Sequence, residues 1–77
     1  MPIEMREDEK QVTIQFPLLK NDYIETQNHI TRLQKIQGFR FFNLERRDGY
    51  MEFIAVGTEF VIQKLQRNIA HLKKTIS

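Results

Sequence analysis

The sequence predicts an α+β domain built as a two-layer sandwich, with two helices packed on one face of a mostly antiparallel sheet. Three observations predict this class. Apolar and polar residues alternate along residues 11–16. Two aromatic-rich segments flank the Arg-Arg-Asp-Gly tetrapeptide at residues 46–49, and the segment after residue 58 carries apolar residues at helical spacing.

The chain is predicted to form one domain, because its 77 residues contain no internal repeat, low-complexity tract or linker-like segment. Residues 1–9 are predicted to be a loose tail, or to include a short strand at residues 2–5. A single core at this length contributes only about 3–5 kcal/mol of net stability, so self-association is favoured from the outset.

The first strand is predicted at residues 11–16, where Pro17 ends the alternation by removing a backbone donor. The first helix is predicted over about residues 22–37. Asn21 is its expected N-cap, and Gly38 supplies its C-terminal stop. Apolar residues recur through this helix at roughly helical spacing, at Tyr23, Ile24, Ile30, Leu33 and Ile36.

A hairpin is predicted next, with strands at residues 39–45 and 50–56. Thr58 is the expected N-cap of the last helix, and Glu59 suits the positive end of its dipole. The apolar stripe of this helix consists of Ile62, Leu65, Ile69, Leu72 and Ile76. The resulting order of elements, β-α-β-β-α, resembles a ferredoxin-like split unit without its last strand.

The register of the hairpin decides which residues share a face. A four-residue loop keeps apolar residues opposite one another, as in the pair Phe41 and Ile54. A two-residue turn at residues 48–49 keeps the same faces but sets Glu45 opposite Glu52, and directly opposed like charges are destabilising. A three-residue loop would set Leu44 opposite Glu52 and mix the faces. The four-residue loop is therefore the favoured register.

This register predicts a core face and a second, half-apolar face. The core face combines Val12, Ile14 and Phe16 with Phe42, Leu44, Met51, Phe53 and Ala55. The second face carries Phe39, Phe41, Ile54, Val56 and, nearer its polar end, Tyr50. A contiguous apolar patch on a small domain is typical of an interface, so we expect these five residues to form a homodimer interface. The alternative covers are the N-terminal segment, with Ile3 and Met5, and a ligand or nucleic acid.

Nucleic-acid binding is the alternative function. Lys64, Arg67, His71 and Lys74 recur at steps of three and four, so they line one face of the last helix as a basic stripe. Such residues more often only interact with water and with the negative end of the helix dipole. The net charge of +2 is too small to favour nucleic acid by itself.

Residues 37–44, with the sequence QGFRFFNL, resemble the octapeptide of RNA-recognition motifs. The resemblance lies in the glycine, the alternating aromatic residues and the following apolar residue, and it implies that Phe39 and Phe41 stack on bases. That family carries the octapeptide on its third strand, whereas here it falls on the second. Thr13 also stands where the family places its other stacking ring, so membership is not inferred.

No catalytic constellation is found in the sequence. His29 and His71 have no carboxylate at motif spacing, and no phosphate-binding loop, nucleophile elbow or zinc-ligand spacing occurs. Met1-Pro2-Ile3 is similar to the N terminus of the tautomerase superfamily, which implies that Pro2 would act as a base once Met1 is removed. Five charged residues at 6–10 replace the strand that follows in that family. We therefore predict a non-enzymatic protein without a metal or cofactor.

The absence of cysteine excludes disulfides and thiolate catalysis and favours a cytoplasmic location. The longest apolar run falls far short of the roughly 20 residues of a membrane-spanning helix, so no membrane association is expected. The predicted function is that of a homo-oligomeric protein-interaction or regulatory module. Its expected partners are a second copy of itself and another protein, with nucleic acid as the less favoured partner.

Overall fold

The computed structural model describes residues 3–76, with side chains from residue 3 to residue 74. The elements are β1 (Glu9–Pro17), α1 (Tyr23–Gln37), β2 (Arg40–Arg47), β3 (Tyr50–Thr58) and α2 (Glu59–Ile76). This order confirms the predicted α+β class. The three strands form one sheet in the order β1-β3-β2, and both neighbouring pairs are antiparallel. The short strand predicted at residues 2–5 is absent from residues 3–5, and Pro2 lies outside the described residues.

β1 is the regular strand that its alternating sequence predicts. It pairs with β3 without interruption over its nine residues, from Glu9 opposite Thr58 to Pro17 opposite Tyr50. Val12, Ile14 and Phe16 lie on the side of the sheet that packs against the helices, and Gln11, Thr13 and Gln15 lie on the other side. Successive strand residues point to opposite faces, so one alternating segment can contribute to both surfaces.

α1 begins one residue later than predicted, because its N-cap is Asp22 and not Asn21. The Oδ1 atom of Asp22 accepts the backbone N–H of Ile24 at 2.9 Å and that of Glu25 at 3.2 Å. These bonds satisfy two of the donors that every helix leaves unpaired at its start. The helix ends at Gly38 as predicted, where the backbone has a φ of 83° that glycine adopts without strain.

The two helices bury different shares of their apolar residues. In α1, Ile30 is fully buried, but Ile24 and Ile36 are 64% and 80% exposed, so these two do not contribute to the core. In α2 the predicted stripe is confirmed, because Ile62, Leu65 and Ile69 are buried and Leu72 packs against them. The side chain of Ile76 lies outside the described residues. Thr58 caps α2 as predicted, with its Oγ1 accepting the N–H of Val61 at 3.3 Å.

The hairpin turn contains two residues, so the predicted four-residue loop is wrong. Arg47 pairs with Tyr50 and Glu45 with Glu52, which leaves residues 48–49 as the turn. The two opposed carboxylates share a cation: the guanidinium of Arg47 lies 3.4 Å from Oε1 of Glu52 and also forms an ion pair with Glu45. The repulsion that disfavoured this register is therefore offset by a neighbouring side chain.

A β-bulge in β2 then shifts the register by one residue. Asn43 and Leu44 together occupy the position opposite Phe53, and the pairs on the two sides of this point follow registers that differ by one residue. Asn43 has a φ of 57°, a left-handed conformation that asparagine tolerates better than most residues. Because side chains alternate with a period of two, one additional residue exchanges the faces of everything before it in the strand.

The exchange makes the predicted placement of three phenylalanines wrong. Phe39 is fully buried and Phe41 partly so, and their ring centroids lie 6.4 Å and 5.8 Å from that of the core residue Phe53. Phe42, predicted in the core, lies on the opposite face, across from Ile54. The other predicted core residues of the strands do lie on the helix-packed face: Val12, Ile14, Phe16, Leu44, Met51, Phe53 and Ala55.

Alanine substitutions of two nearby phenylalanines test this assignment of faces. Phe39→Ala removes a fully buried ring and should cost about 3–5 kcal/mol, close to the whole stability of a domain of this size. Phe42→Ala removes a half-exposed ring from the other face and should cost roughly 1 kcal/mol. Thermal and urea unfolding followed by circular dichroism measures both. Equal costs, or a larger cost for Phe42→Ala, would contradict the bulged register.

Candidate functional site

The candidate site is the face of the sheet opposite to the helices, called the outer face below. It consists of Gln11, Thr13, Gln15 and Pro17 from β1, Tyr50, Glu52, Ile54 and Val56 from β3, and Arg40, Phe42, Glu45 and Arg47 from β2. Along the strands this face has three regions. An ion pair lies at one end, an apolar pair at the centre and a charged cluster at the hairpin end.

The apolar centre of the outer face is formed by Phe42 and Ile54. These residues stand directly opposite each other on β2 and β3, and Thr13 of β1 stands on the other side of Ile54. Both apolar side chains are half-buried in a single chain, and the guanidinium carbon of Arg40 lies 5.9 Å from the centroid of the Phe42 ring. The apolar centre therefore contains fewer apolar residues than the predicted interface. The guanidinium of Arg40 lies beside the Phe42 ring, at a distance typical of a cation–π interaction.

Val56, predicted in the interface, is already covered within one chain. It is fully buried, although it does not belong to the core cluster under the helices. Its cross-strand neighbours are Arg40 and Gln11, and the Nη2 atom of Arg40 donates to Glu9 Oε1 at 2.9 Å and to the Glu4 carbonyl at 2.7 Å. The guanidinium thus joins β2 to β1 across β3. The N-terminal segment is thus attached at this end of the outer face through the Glu4 carbonyl, while Met5, predicted as part of an alternative cover, is 47% exposed.

Glu9 anchors the N-terminal segment through a small turn. Its Oε1 accepts the backbone N–H of Arg6 at 2.8 Å, and its own N–H donates to the Arg6 carbonyl at 3.0 Å. The hydrogen bond from Arg6 is the main cause that lowers the pKa of Glu9, partial burial opposes it, and the charge of Arg40 adds to the lowering. The ionised form of the Glu9 carboxyl group therefore holds the N-terminal segment in place.

The hairpin end of the outer face is a charged cluster centred on Arg47. The carboxylate of Glu45, followed by hydrogen bonding and charge from Glu52, raises the pKa of Arg47. The hydroxyl of Tyr23 on α1 donates to the backbone carbonyl of Arg47, and the guanidinium carbon of Arg46 lies 5.4 Å from the Tyr23 ring centroid. Both arginines, which the favoured four-residue loop placed outside the strands, are part of β2 and contact Tyr23 of α1.

Of the five residues predicted in the interface, only Ile54 and Tyr50 remain half-exposed on the outer face. Phe39 and Phe41 belong to the core, and Phe42 is the residue that the sequence reasoning missed. The signal that could have found it is the Asp-Gly dipeptide, which strongly favours a two-residue turn, combined with an asparagine five residues earlier that can form a bulge.

The basic stripe lies where the sequence predicted it. Lys64, Arg67, His71 and Lys74 are all exposed on α2, which packs on the opposite side of the sheet from the outer face. The base-stacking role implied by the resemblance to RNA-recognition motifs is wrong, because the Phe39 ring is fully buried and the Phe41 ring packs beside it in the core. Phe60, which is 68% exposed on α2, lies one helical turn before Lys64 and is the exposed aromatic side chain beside the stripe.

His29 and His71, which have no carboxylate at motif spacing in the sequence, line one groove of about 220 Å³ between α1 and α2. The ring centroid of His29 lies 5.8 Å from that of Phe16. Burial lowers the pKa of His29, and the charge of Arg32 adds to this effect, while Glu25 opposes it. Within residues 3–74, no three histidine, aspartate or glutamate side chains cluster as a metal site requires. Pro2, the tautomerase-like residue, lies outside the described residues.

Comparisons with known protein families, with curated proteins and with solved structures find no match to this chain. In the described part of the chain, neither helix combines the length and the apolar character needed to cross a lipid bilayer.

The hydrogen bond from Arg6 to Glu9 makes the attachment of the N-terminal segment dependent on pH. Because the pKa of Glu9 is lowered in the folded state, the stability that its ionisation contributes is present above the ordinary glutamate pKa and is lost as the pH falls through the lowered value. We expect the Arg6 amide proton, followed by NMR, to titrate with a midpoint below the ordinary glutamate value. Arg40→Gln should raise this midpoint.

Two further variants decide whether Glu9 is the titrating group. Glu9→Gln should abolish the titration of the Arg6 amide, whereas Glu4→Gln removes the same charge from the same segment and should leave it in place, because only the backbone carbonyl of Glu4 contacts Arg40. A midpoint at or above the ordinary glutamate pKa, or a titration that survives in Glu9→Gln, would contradict the described turn.

Proposed function

We propose that this chain is a non-enzymatic protein-interaction module that associates with itself through the outer face of its sheet. The observation that carries the proposal is the apolar centre, where Phe42 and Ile54 face each other on the side of the sheet that the helices leave uncovered. Apolar side chains grouped on such a face favour contact with another protein surface over contact with water.

A two-fold axis through the outer face lets the same surface meet itself. The apolar centre then meets its own copy, while the Arg40–Glu9 pair and the cluster around Arg47 lie toward the two ends of the contact. An apolar middle with charged ends matches the usual arrangement of a hydrophobic interface core and a polar rim. The ion pairs at the ends also limit which orientations of the two copies are compatible.

The size of the apolar centre sets the expected strength of this contact. Full burial of a large apolar side chain contributes about 1.5–3 kcal/mol, and Phe42, Ile54 and Tyr50 are already half-buried in one chain. Association costs about 4–15 kcal/mol in lost freedom of motion, so three partly exposed residues per chain support only a weak dimer. We therefore propose reversible self-association, with a Kd in the range of roughly 10 µM to 1 mM.

The strand order β1-β3-β2 supports the finer interpretation of residues 3–76 as the first five elements of a ferredoxin-like split unit. α2 packs over β1 and β3, so a strand that followed α2 in the same sheet would lie beyond β1. Within residues 3–76, the proposed unit therefore has three strands, with β1 at one edge of the sheet.

Phe42→Glu should weaken self-association without unfolding the chain, because it places a charge at the centre of the outer face and not in the core. The expected result is an increase of at least tenfold in the dimer Kd, which corresponds to about 1.4 kcal/mol of association free energy. Sedimentation velocity at protein concentrations between about 5 and roughly 500 µM measures this Kd. The matched control is Ile24→Glu, which makes the same kind of change at an exposed position on α1. A wild-type chain that is monomeric throughout this range, or an equal effect of both variants, would refute the outer-face dimer.

Nucleic-acid binding by the basic stripe is the second candidate function. The observation that favours it is that the four stripe residues are all exposed, on a helix that contains no acidic residue after Glu59. Exposed cations along one helix face match the spacing of a phosphate backbone only approximately, so sequence-independent contact is the expected mode.

Replacing Lys64, Arg67 and Lys74 by glutamine tests this candidate. If the stripe contacts a single-stranded oligonucleotide, the slope of log K against log salt should become shallower by roughly 2, from three lost contacts at about 0.7 each. The control variant replaces Lys10, Lys20 and Lys35, which removes the same net charge elsewhere on the surface. No binding at low salt, or the same change of slope in the control, would dismiss the stripe as a nucleic-acid site.

A further inference from the structure

Within the described residues 3–76, one edge of β1 is not paired. β3 hydrogen-bonds to one side of this strand, and among residues 3–76 no strand pairs with its other side. Such an edge presents a row of backbone N–H and C=O groups that can template a further strand. The position is also the one in which the sheet would continue if the split unit were complete.

The two outer edges of the sheet differ in how well they are protected. β2 is interrupted by the bulge at Asn43 and Leu44 and carries four charged residues along its length, and both features discourage pairing with another strand. β1 has neither feature: its pairing with β3 is continuous, and residues 11–16 contain no charged side chain. A flat, uncharged edge of this length is a favourable site for pairing with another chain.

A groove lies beside this edge. It has a volume of about 510 Å³ and is lined by residues 13–15 of β1 and by Gln66, Ile69, Ala70 and Lys73 of α2. A strand added to β1 would enter this groove and place its apolar side chains against Ile69 and Ala70. The edge and the groove therefore form one surface, which offers backbone pairing and apolar burial together.

We propose that this surface binds β1 of a second copy of the chain, in antiparallel orientation around a two-fold axis at Thr13. The axis stands perpendicular to the sheet, so the helices of both copies stay on the same side. Three strands from each chain then form one continuous sheet. This contact is distinct from the outer-face dimer and does not depend on it.

The sequence of β1 is complementary to itself in this register. With the axis at Thr13, Gln11 stands opposite the partner's Gln15, and Val12 stands opposite the partner's Ile14. Polar residues thus meet polar residues on the outer face, apolar residues meet apolar residues on the helix side, and no like charges oppose one another between residues 11 and 15. A second copy fits the edge without any change in the side chains that line it.

The side chains of α2 beside the edge of β1 are also compatible with the α2 helix of a second copy. Thr13 lies beside Gln66 and Ala70 in the groove, so a two-fold axis at Thr13 brings these neutral side chains near their own copies. Lys73 lies further along α2, and at about 1.5 Å per residue the two Lys73 positions are separated by roughly 15 Å along the antiparallel helices. This separation exceeds the Debye length of about 8 Å at physiological salt, so their repulsion is small.

Cross-linking through an introduced cysteine tests the pairing directly, because the chain contains no cysteine of its own. Directly opposite residues in an antiparallel pair have Cα atoms about 4.5–5.5 Å apart, within the range that a disulfide spans. Thr13→Cys, treated with a mild copper oxidant, should form a covalent dimer at least tenfold faster than Asn28→Cys, an exposed control on α1. A mixture of Gln11→Cys and Gln15→Cys should cross-link faster than either variant alone.

The side chain of Thr13 lies on the outer face, so the outer-face dimer could also bring two copies of it together. The cross-linking is therefore repeated with Phe42→Glu present, which disrupts the outer-face contact. Persistence of the rapid cross-link assigns it to the edge of β1. Loss of the cross-link in this background would overturn the edge contact and assign Thr13 to the outer-face dimer.

A charge exchange provides a readout that does not depend on oxidation. Thr13→Asp and Thr13→Lys, each combined with Phe42→Glu to remove the outer-face contact, place like charges across the axis and should each weaken the edge dimer about tenfold in sedimentation. An equimolar mixture of the two variants should restore it, because opposite charges then meet. Circular dichroism shows whether each variant is folded. Cross-linking of Thr13→Cys at the rate of the control, together with no restoration in the mixture, would refute the proposal.

Discussion

The β-bulge at Asn43 and Leu44 is the constraint on which the rest of this structure depends. Strand side chains alternate with a period of two, so one additional residue in β2 exchanges the faces of the residues that precede it. Phe39 and Phe41 thereby join the core, and Phe42 is turned to the outer face. The composition of the core and that of the candidate interface are consequences of the same local irregularity.

Arginine side chains organise what the bulge leaves on the outer face. Arg47 offsets the opposed carboxylates of Glu45 and Glu52, and Arg40 joins β2 to Glu9 and to the N-terminal segment. Their effect is on position: Arg40 stands opposite Val56 at one end and Arg47 opposite Tyr50 at the other, with the apolar centre between them.

Both proposed contacts arise from the same architecture. A three-stranded sheet with all its helices on one side keeps a bare face, and the bulge and the charges of β2 protect only one of its two edges. The outer face contributes a small apolar area, whereas the edge of β1 contributes backbone pairing beside an apolar groove. A chain with too small a core to be very stable alone gains from either contact.

Local patterns in the sequence determined the elements, because they act within a few residues. The alternation in β1, the glycine stop of α1 and the apolar stripe of α2 each specify one element or its end without reference to the rest of the chain. What only the tertiary structure decided was the register of the hairpin and, with it, the site. The competing registers differ by interactions of about 1 kcal/mol, such as two opposed glutamates or one left-handed asparagine. Arg47 forms ion pairs with both opposed glutamates, and Arg40, which stands opposite Val56, bonds to partners more than thirty residues away in the chain, Glu4 and Glu9. Periodicity cannot detect such contacts, because they exist only once the strands have paired.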